Sequence, residues 1–195
     1  MMERFYLIVD HTDWLARFLP MGLKLVQLRV KSDDQAFIID QIKHAKALCL
    51  QHGATLVIND YWQHAIDLEC NYVHLGQEDL ITADVNALKQ KGIRLGISTH
   101  SVEELDIALS YQPDYVALGP IYETILKKMK FGPQGIDKLA TWKAKCPNIP
   151  LVAIGGMSPE RAALALSAGA DSVAVVTDIL NNESPDARFA QWMNI

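Results

Sequence analysis

Short runs rich in aliphatic and β-branched residues recur about every two dozen positions along the chain, and the gaps between them carry apolar residues at three-to-four spacing. The runs are Phe5 to Val9, Leu23 to Leu28, Thr55 to Ile58, Tyr72 to Leu75, Ile93 to Ile97, Tyr115 to Leu118, Leu151 to Ile154 and Ser172 to Val176. Among the gaps, Asp34 to Gln51 shows the helical stripe most plainly, with Phe37, Ile38, Ile42, Ala45, Leu48 and Cys49 on one side. Ser101 ahead of Glu104 and Ser158 ahead of Pro159 read as helix starts. Strands and helices in strict alternation predict an α/β protein of the (β/α)8 TIM barrel class, for which about 200 residues is the compact lower end. An open, doubly wound sheet is the alternative. No Gly-, Ser- or Pro-rich linker interrupts the sequence, so residues 1–195 are expected to form one domain.

Composition narrows the function classes. Lys plus Arg number 18 against 23 Asp plus Glu, a formal net charge of -5, which argues against nucleic acid as a partner. No apolar run reaches the roughly 20 residues that cross a bilayer, and no signal-type cleavage region follows Glu3 and Arg4. The expectation is a cytoplasmic protein with no membrane partner. Cys49, Cys70 and Cys146 lack metal-ligand or redox spacing and are expected to be buried as small apolar groups.

Barrels of this class carry their chemistry at the carboxyl ends of the strands. The second run continues as Gln27-Leu28-Arg29-Val30-Lys31, and alternation would put Gln27, Arg29 and Lys31 on one face; the rival reading is a wet edge strand. The third run ends Asn59-Asp60 and the fourth Gly76-Gln77-Glu78-Asp79, so each places a carboxylate just past a strand. Alone, each acid is best read as a helix cap. Together with Asn59, Arg29 and Lys31, they form a set that would hold a hard cation bridging phosphate oxygens, the usual Mg2+ arrangement. His74 reads as a hydrogen-bonded core histidine and His100 as structural; Ser98 and Thr99 stand between turn formation and substrate contact. No Gly-x-Ser-x-Gly elbow is present, which sets acyl transfer aside. Gly155-Gly156 after the seventh run, with Gly169-Ala170-Asp171 leading into the eighth, marks a phosphate-binding pair of loops. The longest irregular stretch, Gly119 to Gly135, carries three lysines and suggests function.

Taken in order, Tyr6-Leu7-Ile8-Val9-Asp10, Val26 to Lys31, Ile58-Asn59-Asp60, His74-Leu75-Gly76-Gln77-Glu78-Asp79, Gly96 to Ser101, Gly119-Pro120-Ile121-Tyr122, Pro133-Gln134-Gly135 and Ala153-Ile154-Gly155-Gly156 resemble the thiamine phosphate synthase family nearly end to end. The resemblance implies a transferase that joins hydroxymethylpyrimidine pyrophosphate to a thiazole phosphate and releases pyrophosphate through a dissociative, carbocation-like, Mg2+-dependent step. It further implies that Gln27, Arg29, Lys31 and Asn59 contact the pyrimidine substrate and its diphosphate, and that Asp60 and Asp79 hold Mg2+. Ser98 and Lys127 would complete the anion cradle, with Arg29 and Lys31 acting on the leaving group. Thr124, Gly156, Val176 and Thr177 would lie near the thiazole phosphate. The partners implied are phosphorylated small molecules, with self-association into a homo-oligomer left open. The stretch after the sixth run would exclude water as a lid.

The chain departs from the family's Pro-Thr-x-Thr-Lys pattern at Glu123-Thr124-Ile125-Leu126-Lys127, where Leu126 replaces a hydroxyl. Three rival readings follow: a related thiazole tautomerase, a phosphosugar isomerase or epimerase with Lys31 or Asp60 as base, and a degenerate relative that binds thiamine intermediates without turnover. Pro120, Asp60 and Asp79 favour the synthase over the tautomerase.

Overall fold

The computed structural model describes residues 2–124 and 132–195. Strands β1 (Phe5–Val9), β2 (Leu25–Leu28), β3 (Thr55–Asn59), β4 (Tyr72–Leu75), β5 (Arg94–Thr99), β6 (Tyr115–Leu118), β7 (Leu151–Ile154) and β8 (Ser172–Val175) follow one another around a closed barrel in sequence order. Helices α1 (Thr12–Phe18), α2 (Gln35–His52), α3 (Trp62–Asp67), α4 (Gln77–Leu80), α5 (Val85–Gln90), α6 (Val102–Ser110), α7 (Lys138–Lys145), α8 (Pro159–Ser167), α9 (Thr177–Leu180) and α10 (Pro185–Trp192) fill the connections among the described residues. Closure excludes the open, doubly wound sheet. No described helix is long and apolar enough to cross a membrane.

The strands read as mostly apolar runs because every residue of β1, β2, β4, β6 and β8 is buried, as expected of a parallel sheet covered on both faces; Gln27, His74 and Ser172 are the polar exceptions in these five. Five ends differ from the sequence pattern, the end of β3 and the start of β5 by a single residue and the other three for local reasons. Leu23 belongs to the turn closing α1, its N–H bonded to Phe18 O at 3.3 Å, so β2 starts at Leu25. β5 extends to Thr99 because Ser98 and Thr99 pair with Ala117 and Leu118 of β6. β8 stops at Val175 because Val176, at ψ -81°, leaves the extended region.

By internal contacts the chain falls into two units, one of Leu7–Leu95 and one of the residues up to Tyr6 together with those from Gly96 onward. In the first, parallel pairing brings Val9 beside Leu28, Leu28 beside Ile58, and Asn59 beside His74. Helix α2 starts on Asp34, whose Oδ1 accepts from Ala36 N at 2.9 Å and Phe37 N at 3.2 Å, and it ends on Gly53 at φ 61°. In the second unit, Thr99 is fully buried: its hydroxyl donates to Ala117 O at 2.9 Å and accepts from Trp142 Nε1 at 2.8 Å. Phe5 stacks on Trp192 and meets Phe189 edge-on, each at 5.5 Å between centroids. Both expected helix starts hold, with Ser101 Oγ accepting from Glu104 N at 3.2 Å and Ser158 Oγ from Arg161 N at 3.4 Å. All three cysteines are buried free thiols.

Candidate active site

Within Leu7–Leu95, the carboxyl ends of β2, β3 and β4 carry the polar residues. Gln27 is buried inside β2, which stops at Leu28, so Arg29 and Lys31 stand on the segment that follows the strand. Arg29 is anchored through its N–H to Val9 O at 2.8 Å and is half-buried, while Lys31 is exposed.

Asn59 ends β3, buried, and the next residue turns sharply. Asp60 adopts φ 63°, a left-handed conformation that Asp tolerates better than most residues, with its N–H on His74 O at 3.0 Å. It is not a cap: α3 starts on Tyr61 with no side-chain bond to its first turn. Asp79 sits at the third position of α4, where its Oδ2 accepts from Gly76 N at 3.1 Å. A Cβ at residue 76 would stand 3.0 Å from that oxygen, which is why glycine suits the position. Asp79 is therefore a cap and, at the same time, a partner of Asp60.

The two carboxyl groups lie within hydrogen-bonding reach, and Asn59 also bonds the Asp60 side chain. Burial first, then the Asp79 charge and hydrogen bond, push Asp60 from its ordinary 3.8 up to about 6, against the pull of Arg29 and Asn59. Burial, reinforced by the Arg29 charge, pushes His74 down to about 4, so it is a neutral core imidazole near pH 7. Glu78 is exposed. Among the described residues no three His, Cys, Asp or Glu side chains gather as a metal cage. A hard cation held here would rest on two carboxylates and complete its shell with water and substrate oxygens.

The second unit carries the glycine turns. After β6, Ile121 N–H bonds Ile154 O at 2.8 Å and Tyr122 N–H bonds Gly155 O at 3.1 Å, which lays that loop along the one after β7. Gln134 N–H on Pro120 O at 2.7 Å and Gly135 N–H on Ile121 O at 3.0 Å close its base. Gly155 and Gly156 have φ of 100° and 63°, and a Cβ on Gly156 would run into Glu123 O and Tyr122 Cβ. Arg161 donates from Nη1 to Gly156 O at 2.5 Å and lies 4.4 Å over the Tyr122 ring. Thr124, Ser98, Val176 and Thr177 are half-buried, the last two beginning α9. His100 is structural, its Nδ1 bonded to Glu104 Oε2 at 2.7 Å. Lys127 and Leu126 lie outside the described residues.

The first unit thus brings Arg29, Asn59, Asp60 and Asp79 together, with Lys31 on the same segment as Arg29. Sequence reasoning assigned no role to Gly76, Tyr61 or the Arg161–Tyr122 pair. Gly76 and Tyr122 stand in the motifs that carry the resemblance and Tyr61 directly after Asp60, whereas Arg161 had no signal.

A family model described as thiamine monophosphate synthase matches residues 5–179. The thiamine-phosphate synthase of Rhizobium etli is 53% identical over 192 residues, 98% of this chain and 94% of its own length. That of Cronobacter sakazakii is 44% identical over 185 residues, covering 95% of this chain and 87% of its own. In fold, the solved thiamine phosphate pyrophosphorylase from Pyrococcus furiosus overlays with a TM-score of 0.86 at 23% identity, over 98% of this chain and 94% of that one. With matches of this extent, the chain belongs to the thiamine monophosphate synthase family.

Proposed function

We propose that this chain is a transferase that condenses 4-amino-2-methyl-5-hydroxymethylpyrimidine pyrophosphate with 4-methyl-5-(2-hydroxyethyl)thiazole phosphate, giving thiamine phosphate and pyrophosphate. The observation that carries the reading is the Asp60–Asp79 carboxyl pair beside Arg29 and Asn59, in a chain 53% identical to a thiamine-phosphate synthase. Small phosphorylated partners and a cytoplasmic setting go with it. The closed strand order supports treating residues 1–195 as one domain.

The donor set fits Mg2+, because the proton affinity that burial and the Asp79 charge impose on the Asp60 carboxylate is relieved by a divalent cation held on hard carboxylate oxygens. Asp60 and Asp79 would hold the ion, which when bound supplies positive charge to a leaving diphosphate. The pyrimidine CH2–O bond breaks with its electron pair going to pyrophosphate, and the thiazole nitrogen forms the new C–N bond. Charge accumulates on the departing oxygens, so the protein's task is electrostatic and positional. Arg29, Lys31, Ser98 and Lys127 act on that charge. Gln27 and Asn59, both buried, orient the pyrimidine. Thr124, Gly156, Val176 and Thr177 hold the acceptor's phosphate. The step needs no side-chain nucleophile.

Asp60→Asn tests the carboxylate pair. It removes one of the two negative charges while keeping shape, and a loss of turnover of about a hundredfold or more with an unchanged circular dichroism spectrum is expected. Undiminished turnover would contradict the assignment.

A further inference from the structure

Tyr61 does something the sequence pattern does not require. The segment between β2 and α2 carries Arg29 and Lys31 and belongs to no regular element. At its near end Arg29 N–H is tied to Val9 O. At its far end Asp34 N–H bonds Ser32 Oγ at 3.1 Å, and Asp34 caps α2. Between these anchors stands Lys31, and the Tyr61 hydroxyl reaches the backbone on both sides of it, donating towards Val30 O at 3.2 Å and Ser32 O at 3.4 Å. One turn further along α3, His64 Nε2 meets Gln35 Oε1 of α2 at 2.8 Å, with its ring 5.9 Å from that of Tyr61. Tyr61 thus holds the cationic segment itself, and His64 holds the first residue of the helix that follows it.

Tyr61 is also the residue after Asp60, inside the turn that aims the carboxylate. The Asp60 and Arg29 charges both act on its hydroxyl. One side chain thus links the loop bearing the cations to the turn bearing the acid.

We infer that Tyr61 is a positioning residue: its hydroxyl holds the carbonyls flanking Lys31, so that Arg29 and Lys31 are already ordered relative to Asp60 when a diphosphate binds. The inference rests on reading those cations as diphosphate ligands. An ordered lysine loses less conformational freedom on binding than one on a loose loop, so the effect belongs in diphosphate affinity.

Tyr61→Phe keeps the ring and removes only the hydroxyl. The readouts are calorimetric affinity for inorganic pyrophosphate with MgCl2, the separate KM values of the two substrates, kcat, and thermal unfolding. Pyrophosphate affinity is expected to fall about three- to tenfold, the scale of one lost hydrogen bond. KM for the pyrimidine diphosphate should rise in parallel, KM for the thiazole phosphate should not move, and the melting temperature should stay within about 5 °C. Unchanged pyrophosphate affinity, an equal rise in both KM values, or a larger loss of fold would each overturn the inference, the last by making Tyr61 merely structural. Wild-type protein that forms no thiamine phosphate and binds no pyrophosphate would overturn the reading of the site, and this inference with it. An active wild type with unaltered Tyr61→Phe overturns this inference alone.

Discussion

Asp60 shows how one residue's backbone and charge are set by different neighbours. Its left-handed turn is fixed by the N–H bond to His74 O, and its proton affinity by burial and by Asp79. With a folded value of about 6 against an ordinary 3.8, the metal-free fold keeps a proton that the unfolded chain releases. That contribution to stability is complete below 3.8 and is lost as pH rises through about 6. A cation competes with the same proton, so MgCl2 should raise the melting temperature more at about pH 7.5 than at about pH 5. An equal shift at both would show that Asp60 is not its ligand. His74 has the opposite sign. Its folded value of about 4 lies below the ordinary 6.5, so its contribution is complete above 6.5 and is lost as pH falls towards 4. Acid titration of His74→Asn by denaturant melts should flatten that limb; an unaltered slope would show that His74 does not set it. An acid past a strand end is legible in sequence as Asp60. That Asp79 serves both Gly76 and Asp60 is not, because it depends on how α4 lies against β3 and β4.

Among elements, strands were the most legible, because burial on both faces leaves an apolar run that nothing else in the chain imitates. Their ends were less so. Pairing of β2 to β3 ends at Leu28, which the run Gln27-Leu28-Arg29-Val30-Lys31 does not announce. In sequence Thr99 stands between turn formation and substrate contact, yet its hydroxyl is taken up by Ala117 and by Trp142, a residue 43 positions away that no local pattern announces. The glycine turn after β7 was legible as a turn from composition, but not the reason it must be glycine. Gly156→Ala forces a Cβ onto Tyr122 Cβ at 2.8 Å and onto Glu123 O in a left-handed conformation. A cost of about 1–3 kcal/mol in a denaturant melt is expected, with KM for the thiazole phosphate raised and KM for the diphosphate substrate unchanged. A rise confined to the diphosphate substrate would misplace this turn.

For the molecule as a whole, sequence order around the closed barrel follows from strands separated by helical connections at near-minimal length. What alternation could not specify is the work of the last helix. Trp192, fully buried, stacks on Phe5 and donates to Asp178 Oδ2 at 2.7 Å, while Arg188 grips the same carboxylate through Nε at 2.7 Å and Nη2 at 2.9 Å. The carboxyl terminus thereby stabilises the start of β1 and the helix beside Thr177. Trp192→Ala should cost about 3–5 kcal/mol of unfolding free energy, measured by denaturant melts. A cost below about 1 kcal/mol would show the contact to be incidental.

Function at this scale comes down to whether a diphosphate leaves. Wild-type protein mixed with both substrates and MgCl2, with pyrophosphate and thiamine phosphate quantified together, should yield the two products in equal amounts. Thiazole phosphate isomerised or untouched, with no pyrophosphate released, would contradict the assignment of Arg29, Asp60 and Asp79 to a leaving diphosphate.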